Sequence, residues 1–545
     1  MTRTVRRVVQ LGFLAFFIYL FVQVRFPLSI RIPPDLFLRF SPLLASAEML
    51  ALRKVSVMIF PAVILIVLTM LLGRVWCGWV CPLGTVIDAS DVIFFRRRKT
   101  DQRVVHHQWK YLVLLAVLGA GVFGVQIAYL VDPLALLTRT MATVFYPLAQ
   151  RGEGLFLGMG GSWLRDRGIY LEPGQFIFRS SFIILAVFVA VLALSAFYRR
   201  YWCNTLCPLG GLLAIFSLAN PLRFKMADSG NKCGLCWRYC KMAALDPDRD
   251  HQRLSECIVC FDCVRDCARG EVRFSLELPK PRPREEISLP RRKLLQGVGL
   301  GAIFALGAGV EFARGQPDSL CIRPPGAIPE DMFLDVCARC GECMKACITN
   351  GLQPALTEAG IAGFWTPVLV PTIGYCAQPC TLCGEVCPTG AILPVTVAEK
   401  EKIKIGAATV YKDACIYWSN GQVCLVCQEC CPYVAISIAD ARGSRGPLVD
   451  EEKCTGCGEC ETACPVRPQR AIKVSSRGDE ESRKARAALR RVRPFPGLKR
   501  DQPAGANAAE TLEDAEAGRV RAESHSLSSY GLMDRARGTR LRKRG

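Results

Sequence analysis

Histidine is almost missing from this sequence, with 4 in 545 residues. His106 and His107 sit together in a basic loop, His251 and His525 stand apart, and no C-x-x-C-H run occurs, so haem is disfavoured. Acidic residues are also short: 48 Asp+Glu against 69 Lys+Arg leave a net charge of +21. This surplus does not describe a nucleic-acid surface. The stretch after Ser475 holds 17 Lys/Arg and 10 Asp/Glu, a share of +7, and much of the remainder flanks apolar runs, where membrane proteins carry it. Charged residues make up only 21% against 51% hydrophobic, which excludes a small soluble domain and assigns part of the chain to a membrane.

Cysteine is what the sequence has in abundance. The 29 cysteines fall into tight C-x2-C and C-x3-C runs rather than the scattered spacing of a disulfide framework. An iron-sulfur cubane needs four soft thiolates, and a C-x2-C-x2-C-x3-C run supplies three to one cluster and a fourth to its neighbour. Four runs of this kind lie in the C-terminal half: Cys337, Cys340, Cys343, Cys347; Cys376, Cys380, Cys383, Cys387; Cys415, Cys424, Cys427, Cys431; and Cys454, Cys457, Cys460, Cys464, the second and third irregular, with x3 and x8 in place of the first x2. Sixteen thiols serve four [4Fe-4S] clusters. Pro388, Pro432 and Pro465 follow the last cysteine of three runs, as in bacterial ferredoxins, whereas zinc ribbons rarely place three cysteines in seven residues before a fourth and a proline. The spacing leaves the pairing open between sequential exchange and first with fourth, second with third. Cys321 and Cys430 remain as buried or spare thiols.

Upstream, Cys233, Cys236 and Cys240 precede Cys257, Cys260, Cys263 and Cys267, one short of eight, with Gly230 where the missing cysteine belongs. Cys257, Cys260 and Cys263 with Cys240 complete one cubane. Cys233, Cys236 and Cys267 leave an open iron corner, to be closed by a three-iron cluster, by Asp228, or by Cys203 or Cys207. Two further pairs, Cys77/Cys81 and Cys203/Cys207, are spaced to share a helix face and to form a tetrathiolate metal or cluster site at a membrane edge; packing cysteines and a thiol-disulfide pair are the alternatives.

These pairs belong to an internal repeat. Trp76-Cys77-Gly78-Trp79-Val80-Cys81-Pro82-Leu83-Gly84 matches Trp202-Cys203-Asn204-Thr205-Leu206-Cys207-Pro208-Leu209-Gly210 at a separation of 126 residues. Each copy ends a pair of apolar runs, near Val8 to Val24 with Val55 to Val75, and Tyr111 to Val131 with Ser181 to Tyr198, which are read as four transmembrane helices. Arg3, Arg6 and Arg7 before the first run and Arg96, Arg97, Arg98 and Lys99 after the second make the N-terminus and both cysteine pairs cytoplasmic, although Arg25, Arg31, Arg165 and Arg167 weaken the asymmetry.

The expected fold class is a membrane α-helical bundle of four helices, with a candidate fifth, joined to α+β bacterial-ferredoxin-like domains and a disordered tail. The boundaries are a membrane domain over 1–219, a cytoplasmic ferredoxin-like domain over 220–280, a linker over 281–315, a four-cluster domain over 316–475 and a basic tail over 476–545. The linker holds Arg291 and Arg292 ahead of the weakly apolar run Gly297 to Val310, which reads as a twin-arginine export segment or as an interdomain linker with an ordinary basic pair. Export makes the C-terminal domain periplasmic.

With these motifs in view, residues up to about 280 resemble the NapH-type membrane quinol dehydrogenase subunit, akin to NosR and MauN. Residues 290 to about 475 resemble the NapG/MauM ferredoxin-type proteins. The resemblance implies a fusion of the two in the inner membrane, with about five or six [4Fe-4S] clusters, that passes electrons from membrane quinol to a periplasmic acceptor such as a c-type cytochrome or reductase. A maturation factor for a periplasmic metalloenzyme is the alternative it implies.

Overall fold

A computed structural model describes residues 2–476 apart from 25, 27–31, 53–58, 95–105, 124, 161–175, 227–239, 246–251, 266, 268–271, 277–289, 315–320 and 442–443. The apolar runs become helices at the expected places: α1 Thr2–Val22, α2 Ile59–Leu72, and, after the first repeat motif, α3 Pro82–Phe94. These are followed by α4 Gln108–Val122, α5 Ser181–Ala193 and, after the second motif, α6 Pro208–Phe216. Among the described residues one helix, over Thr4–Val22, is both long and apolar enough to cross a bilayer. The other three expected spans are shorter, at 14, 15 and 13 residues. Their ends have local causes. Left-handed Gly73 (φ 77°) stops α2 where a side chain would strike Asn220, and α5 tightens into a 3-10 turn at Leu194–Ala196. The bundle is apolar outside as well as inside: Phe60, Ile64 and Phe182 are exposed on the same helices that bury Leu65, Ile184 and Phe188.

The two repeat motifs fold alike, and not as a continuous helix. Trp76–Val80 and Trp202–Leu206 each form a π-helical turn, closed by the Cys81 and Cys207 N–H groups on the carbonyls of Trp76 (2.8 Å) and Trp202 (2.9 Å). Cys81 and Cys207 are then extended, and Pro82 and Pro208 begin new helices. The expected helical i, i+4 face is therefore corrected. A residue before proline is pushed out of the α region, so the second cysteine of each pair leaves the helix that carries the first.

The segment carrying Arg291 and Arg292 is a 24-residue helix, α7 Arg291–Arg314, and it runs alongside α4. Lys293 meets Gln108, Gly297 meets Leu112 and Leu115, and Gly301 meets Ala116 and Ala120. A Cβ on Gly301 would fall 2.4 Å from the Ala116 carbonyl oxygen. Two glycines four apart thus let the backbones touch, the packing by which helices associate where water supplies no driving force.

Small strand pairs mark the cluster domains. Strands β1 Leu222–Met226 and β2 Val272–Leu276 pair antiparallel and bracket the middle domain. In the C-terminal domain β3 Leu352–Pro354 pairs with β4 Pro367–Leu369, and β5 Ala407–Val410 pairs with β8 Ile472–Ser475, while β6 Ile436–Ala441 and β7 Ser444–Val449 form a hairpin. Ile392 and Ala327 form an isolated antiparallel bridge. The tail from 477 lies outside the described residues.

The two domains meet opposite ends of the bundle. Near the start of α1, Arg6 pairs with Asp262 of the middle domain (3.1 Å). At its other end, Phe21 and, just beyond the helix, Val24 offer their carbonyls to Lys345 of the C-terminal domain. At 1.5 Å per residue, Arg6 and Phe21 are about 22 Å apart along the axis. α4 repeats the pattern: His107, just before it, contacts Glu256, and Gln126, just beyond it, accepts from Arg339 at 2.6 Å.

Candidate iron-sulfur centres

Four cavities are each lined by four cysteines, three from one run and one from the run beside it. The first, about 320 Å³, takes Cys337, Cys340 and Cys343 with Cys387; the second, about 400 Å³, takes Cys376, Cys380 and Cys383 with Cys347. The third, about 320 Å³, takes Cys454, Cys457 and Cys460 with Cys431. Cys415, Cys424 and Cys427 lie together as neighbours, and the same exchange leaves Cys464 for this fourth group. Pairing is thus sequential. A cavity of about 430 Å³ in the middle domain holds Cys240, Cys257, Cys260 and Cys263, the expected set. Cys267 is described but Cys233, Cys236, Gly230 and Asp228 lie outside the described residues, as does any closure of that open corner.

The backbone explains why these runs make cradles. In the three regular runs the residue before the second cysteine and the residue after it are left-handed: Arg339 and Gly341, Val259 and Phe261, Gly456 and Gly458. Left-handed turns at both places curl three thiols inward, and holding Val259, Phe261 and Arg339 there against their preference costs about 1–3 kcal/mol each. The crossing cysteines are fixed by a second rule. Three residues after Cys240, Cys347, Cys387 and Cys431 comes another left-handed residue, namely Ala243, Asn350, Gly390 and Val434. The chain then folds back and donates an N–H to sulfur: Ala244 to Cys240 (3.3 Å), Ile392 to Cys387 (3.4 Å), Ala435 to Cys431 (3.4 Å). Such bonds stabilise negative charge on sulfur and tune a cluster's potential. Burial acts the other way on the bare thiols, pushing Cys240 and Cys337 up to about 11 and Cys257, Cys427 and Cys457 to about 12. These thiols are therefore protonated at neutral pH before they bind a cluster, and binding releases their protons.

The cradles form a line. Cys343 of the first interacts with Cys383 of the second, the Cys376 N–H donates to the Cys457 carbonyl (2.8 Å) between second and third, and Cys460 interacts with Cys427 between third and fourth. The first faces the bundle: Cys340 belongs to the packed core that also contains Cys81 and Cys207.

At the other end of that core Cys77, Cys81, Cys203 and Cys207 come together, each pair near the other. Cys77 and Cys203 also pack on the cluster of Met242 and Ile258 that Cys240, Cys257 and Cys260 border. Among the described residues no three His, Cys, Asp or Glu side chains are grouped for a single metal ion.

Two residues at this site escaped the sequence reading. Arg74 and Arg200, each three residues before the first cysteine of its motif, are fully buried. Arg200 donates to the Cys77 (2.8 Å) and Gly84 (3.1 Å) carbonyls and pairs with Asp88 at 2.9 Å. Arg74 reaches the Ser255 carbonyl (2.9 Å) and Glu256 (3.4 Å). Each guanidinium lies over the glycine of the opposite motif, Arg74 by Gly210 and Arg200 by Gly84, where any side chain would crowd it. Extending the 126-residue repeat two positions upstream would have found both. Burial alone would raise the Glu256 carboxyl, but Lys110, His107 and Arg74 hold it well below the usual range. It remains an anion that offsets Arg74 and Lys110.

Known proteins bear on this arrangement. Two matches to families described as a 4Fe-4S binding domain cover residues 56–100 with 180–225, which include both repeat motifs, and residues 447–468, which include the last cysteine run. The methylamine utilization ferredoxin-type protein MauM of Methylorubrum extorquens is 37% identical over 212 residues, 36% of this chain and 91% of the relative. MauM of Methylophilus methylotrophus is 34% identical over 34% of this chain and 84% of its own length. The ferredoxin-type protein NapG of Escherichia coli is 35% identical over the same shares, 34% and 84%. No solved structure matches. With cysteine-lined cradles in sequence and relatives matched over most of their length, the chain belongs to the ferredoxin-type iron-sulfur proteins of the MauM and NapG kind.

Proposed function

We propose that this protein is a membrane-bound electron carrier, a fusion of a NapH-like quinol dehydrogenase module with a NapG/MauM-like module, that takes electrons from quinol and delivers them to a periplasmic redox protein. The observation that carries this reading is the line of cradles, which begins at Cys340 in the bundle core and runs outward through the C-terminal domain. Cubanes bound there supply one-electron steps to a two-electron donor. The chain's own contribution is geometric: it seats thiols at fixed spacing, buries them from water and aims N–H groups at the crossing sulfurs.

A bundle with an apolar exterior, a helix that can span a bilayer and two cluster domains at opposite helix ends support membrane residence with one domain on each side. On this reading Arg291 and Arg292 mark the inner end of α7, and export carries the C-terminal domain across. Contact of Cys340 with the bundle favours delivery from quinol straight to the first cradle over a route through the cytoplasmic cradle. A maturation factor would use spare thiols, and the two left over lend it no support: Cys321 is buried, and Cys430 donates to the Cys427 carbonyl (3.6 Å).

The test uses anaerobic membranes holding the full chain. A reduced menaquinone or ubiquinone analogue is added and bleaching of the cluster absorption is followed. Direct delivery predicts bleaching that survives Cys77→Ser with Cys203→Ser. Slowed bleaching in that variant would support a continuous route from the cytoplasmic side, and none with the unaltered protein would overturn quinol as donor.

A further inference from the structure

Two arginines meet where the C-terminal domain sits on the bundle. Arg139, in the helix Pro133–Thr140, and Arg339, between Cys337 and Cys340, are both fully buried. Arg139 donates to the carbonyls of Arg339 (3.3 Å) and Leu130 (3.4 Å), and its guanidinium lies over the Trp365 ring, 4.1 Å from the centroid. Arg339 donates to the carbonyls of Gln126 and Ala362, each at 2.6 Å. Their partners are thus neutral. The Nε atom of each arginine has no acceptor, and among the described residues neither forms an ion pair. Asp132 and Asp335 act on them only at longer range, and the Asp132 carboxylate already serves Ser41 and two backbone N–H groups.

Two buried like charges without an anion are strongly unfavourable, by several kcal/mol each. The anion that suits them is next door. Arg339 lines the first cradle, and Arg139 interacts with Cys340 of the same cradle. A cubane on four thiolates is negative before reduction and one charge more negative after it. The second cradle differs: its cation, Lys400, spends its protons on the carbonyls of Ala377, Gln378 and Cys380.

We propose that Arg139 and Arg339 are tuning residues: held at the junction by Trp365, they raise the reduction potential of the cluster in the first cradle and make it the electron entry point of the C-terminal domain. The step they favour is the gain of one electron, without a proton, from a quinol or a chemical reductant. Two fixed positive charges in a site of low dielectric stabilise the reduced cluster over the oxidised one. This rests on the reading that the cradles hold cubanes, and not on quinol as donor.

The experiment is a dithionite titration of the purified full chain, followed by EPR, with iron and sulfide counted on each sample. In Arg139→Gln one cluster signal should need a lower potential, with at least a tenfold fall in its reduced-to-oxidised ratio at fixed potential, about 59 mV for one electron. The other signals should hold, and Arg139→Lys, which keeps the charge, should restore most of the shift. Loss of one cluster's iron in Arg139→Gln but not Arg139→Lys also supports the role of charge. All signals unmoved in Arg139→Gln with full iron, or equal damage in both variants, would overturn it. Absence of cubane signals from the unaltered protein would instead sink the cluster reading beneath it.

Discussion

Cys347 belongs by sequence to the first run and by structure to the second cradle, opposite Cys376, Cys380 and Cys383. Cys347→Ser and Cys380→Ser therefore attack one cluster. Removing one of four ligands releases between one iron and a whole cubane, about one to four irons per chain. The double variant cannot lose more than about four, because both changes strike the same cradle; the losses are non-additive. Cys347→Ser with Cys457→Ser strikes two cradles, and its losses add, up to about eight irons. The assay is iron and acid-labile sulfide per chain after anaerobic purification, with EPR of the reduced samples to count spin systems. If first and fourth runs exchanged ligands instead, Cys347 would serve the cradle of Cys454, Cys457 and Cys460, and the second pair of substitutions would be the non-additive one. That outcome would refute the sequential pairing.

Other consequences concern stability. Gly301→Leu places a side chain against the Ala116 carbonyl and the Ala120 nitrogen, backbone atoms that cannot step aside, and should lower stability by about 1–3 kcal/mol; Gly299→Leu, with nothing within 4 Å, should not. Equal melting of the two variants in detergent would contradict the close packing of α7 on α4. Arg200→Leu leaves the largely buried Asp88 with only Lys241 as a charged partner among the described residues and should cost about 3–5 kcal/mol, while Asp88→Asn added to it should recover part; additive losses in the denaturant midpoint would show the pair is not coupled. Raised thiol pKa values make the apo chain sensitive to alkali. A group whose folded pKa lies above its unfolded value stabilises below the unfolded pKa and loses that effect as pH rises, so between about pH 9 and 11 Cys240, Cys257 and Cys337 each cost on the order of 1 kcal/mol per pH unit. The apo protein should melt progressively earlier over that range and the cluster-loaded protein should not, since bound thiolates no longer titrate; parallel curves would count against buried neutral thiols in the apo state.

Much of this chain was legible in its residues because ligand chemistry is local. In the runs that begin at Cys257, Cys337 and Cys454 the three thiols that wrap a cluster lie within seven positions, so C-x2-C-x2-C declares a cradle without knowledge of the fold, and Cys240 could be assigned to Cys257, Cys260 and Cys263 by the same rule. Apolar runs named the helices, since burial of a run needs no partner to be read. The periodic rule put Cys77 and Cys81 on one helical face although Pro82 already pushes Cys81 out of the helix; the π turn, in which the Cys81 N–H donates to the Trp76 carbonyl, is a backbone choice that side-chain spacing does not encode. What only tertiary structure decided are the relations between distant segments. Two runs of equal spacing can exchange their fourth cysteine with either neighbour, and the choice lies in how the chain returns past Asn350, Gly390 and Val434. Arg139 and Arg339 are 200 residues apart and look like ordinary charges in the sequence. Only when the C-terminal domain seats on the bundle do they become two buried cations beside one cradle, because desolvation is a property of the packed neighbourhood and no single segment carries it.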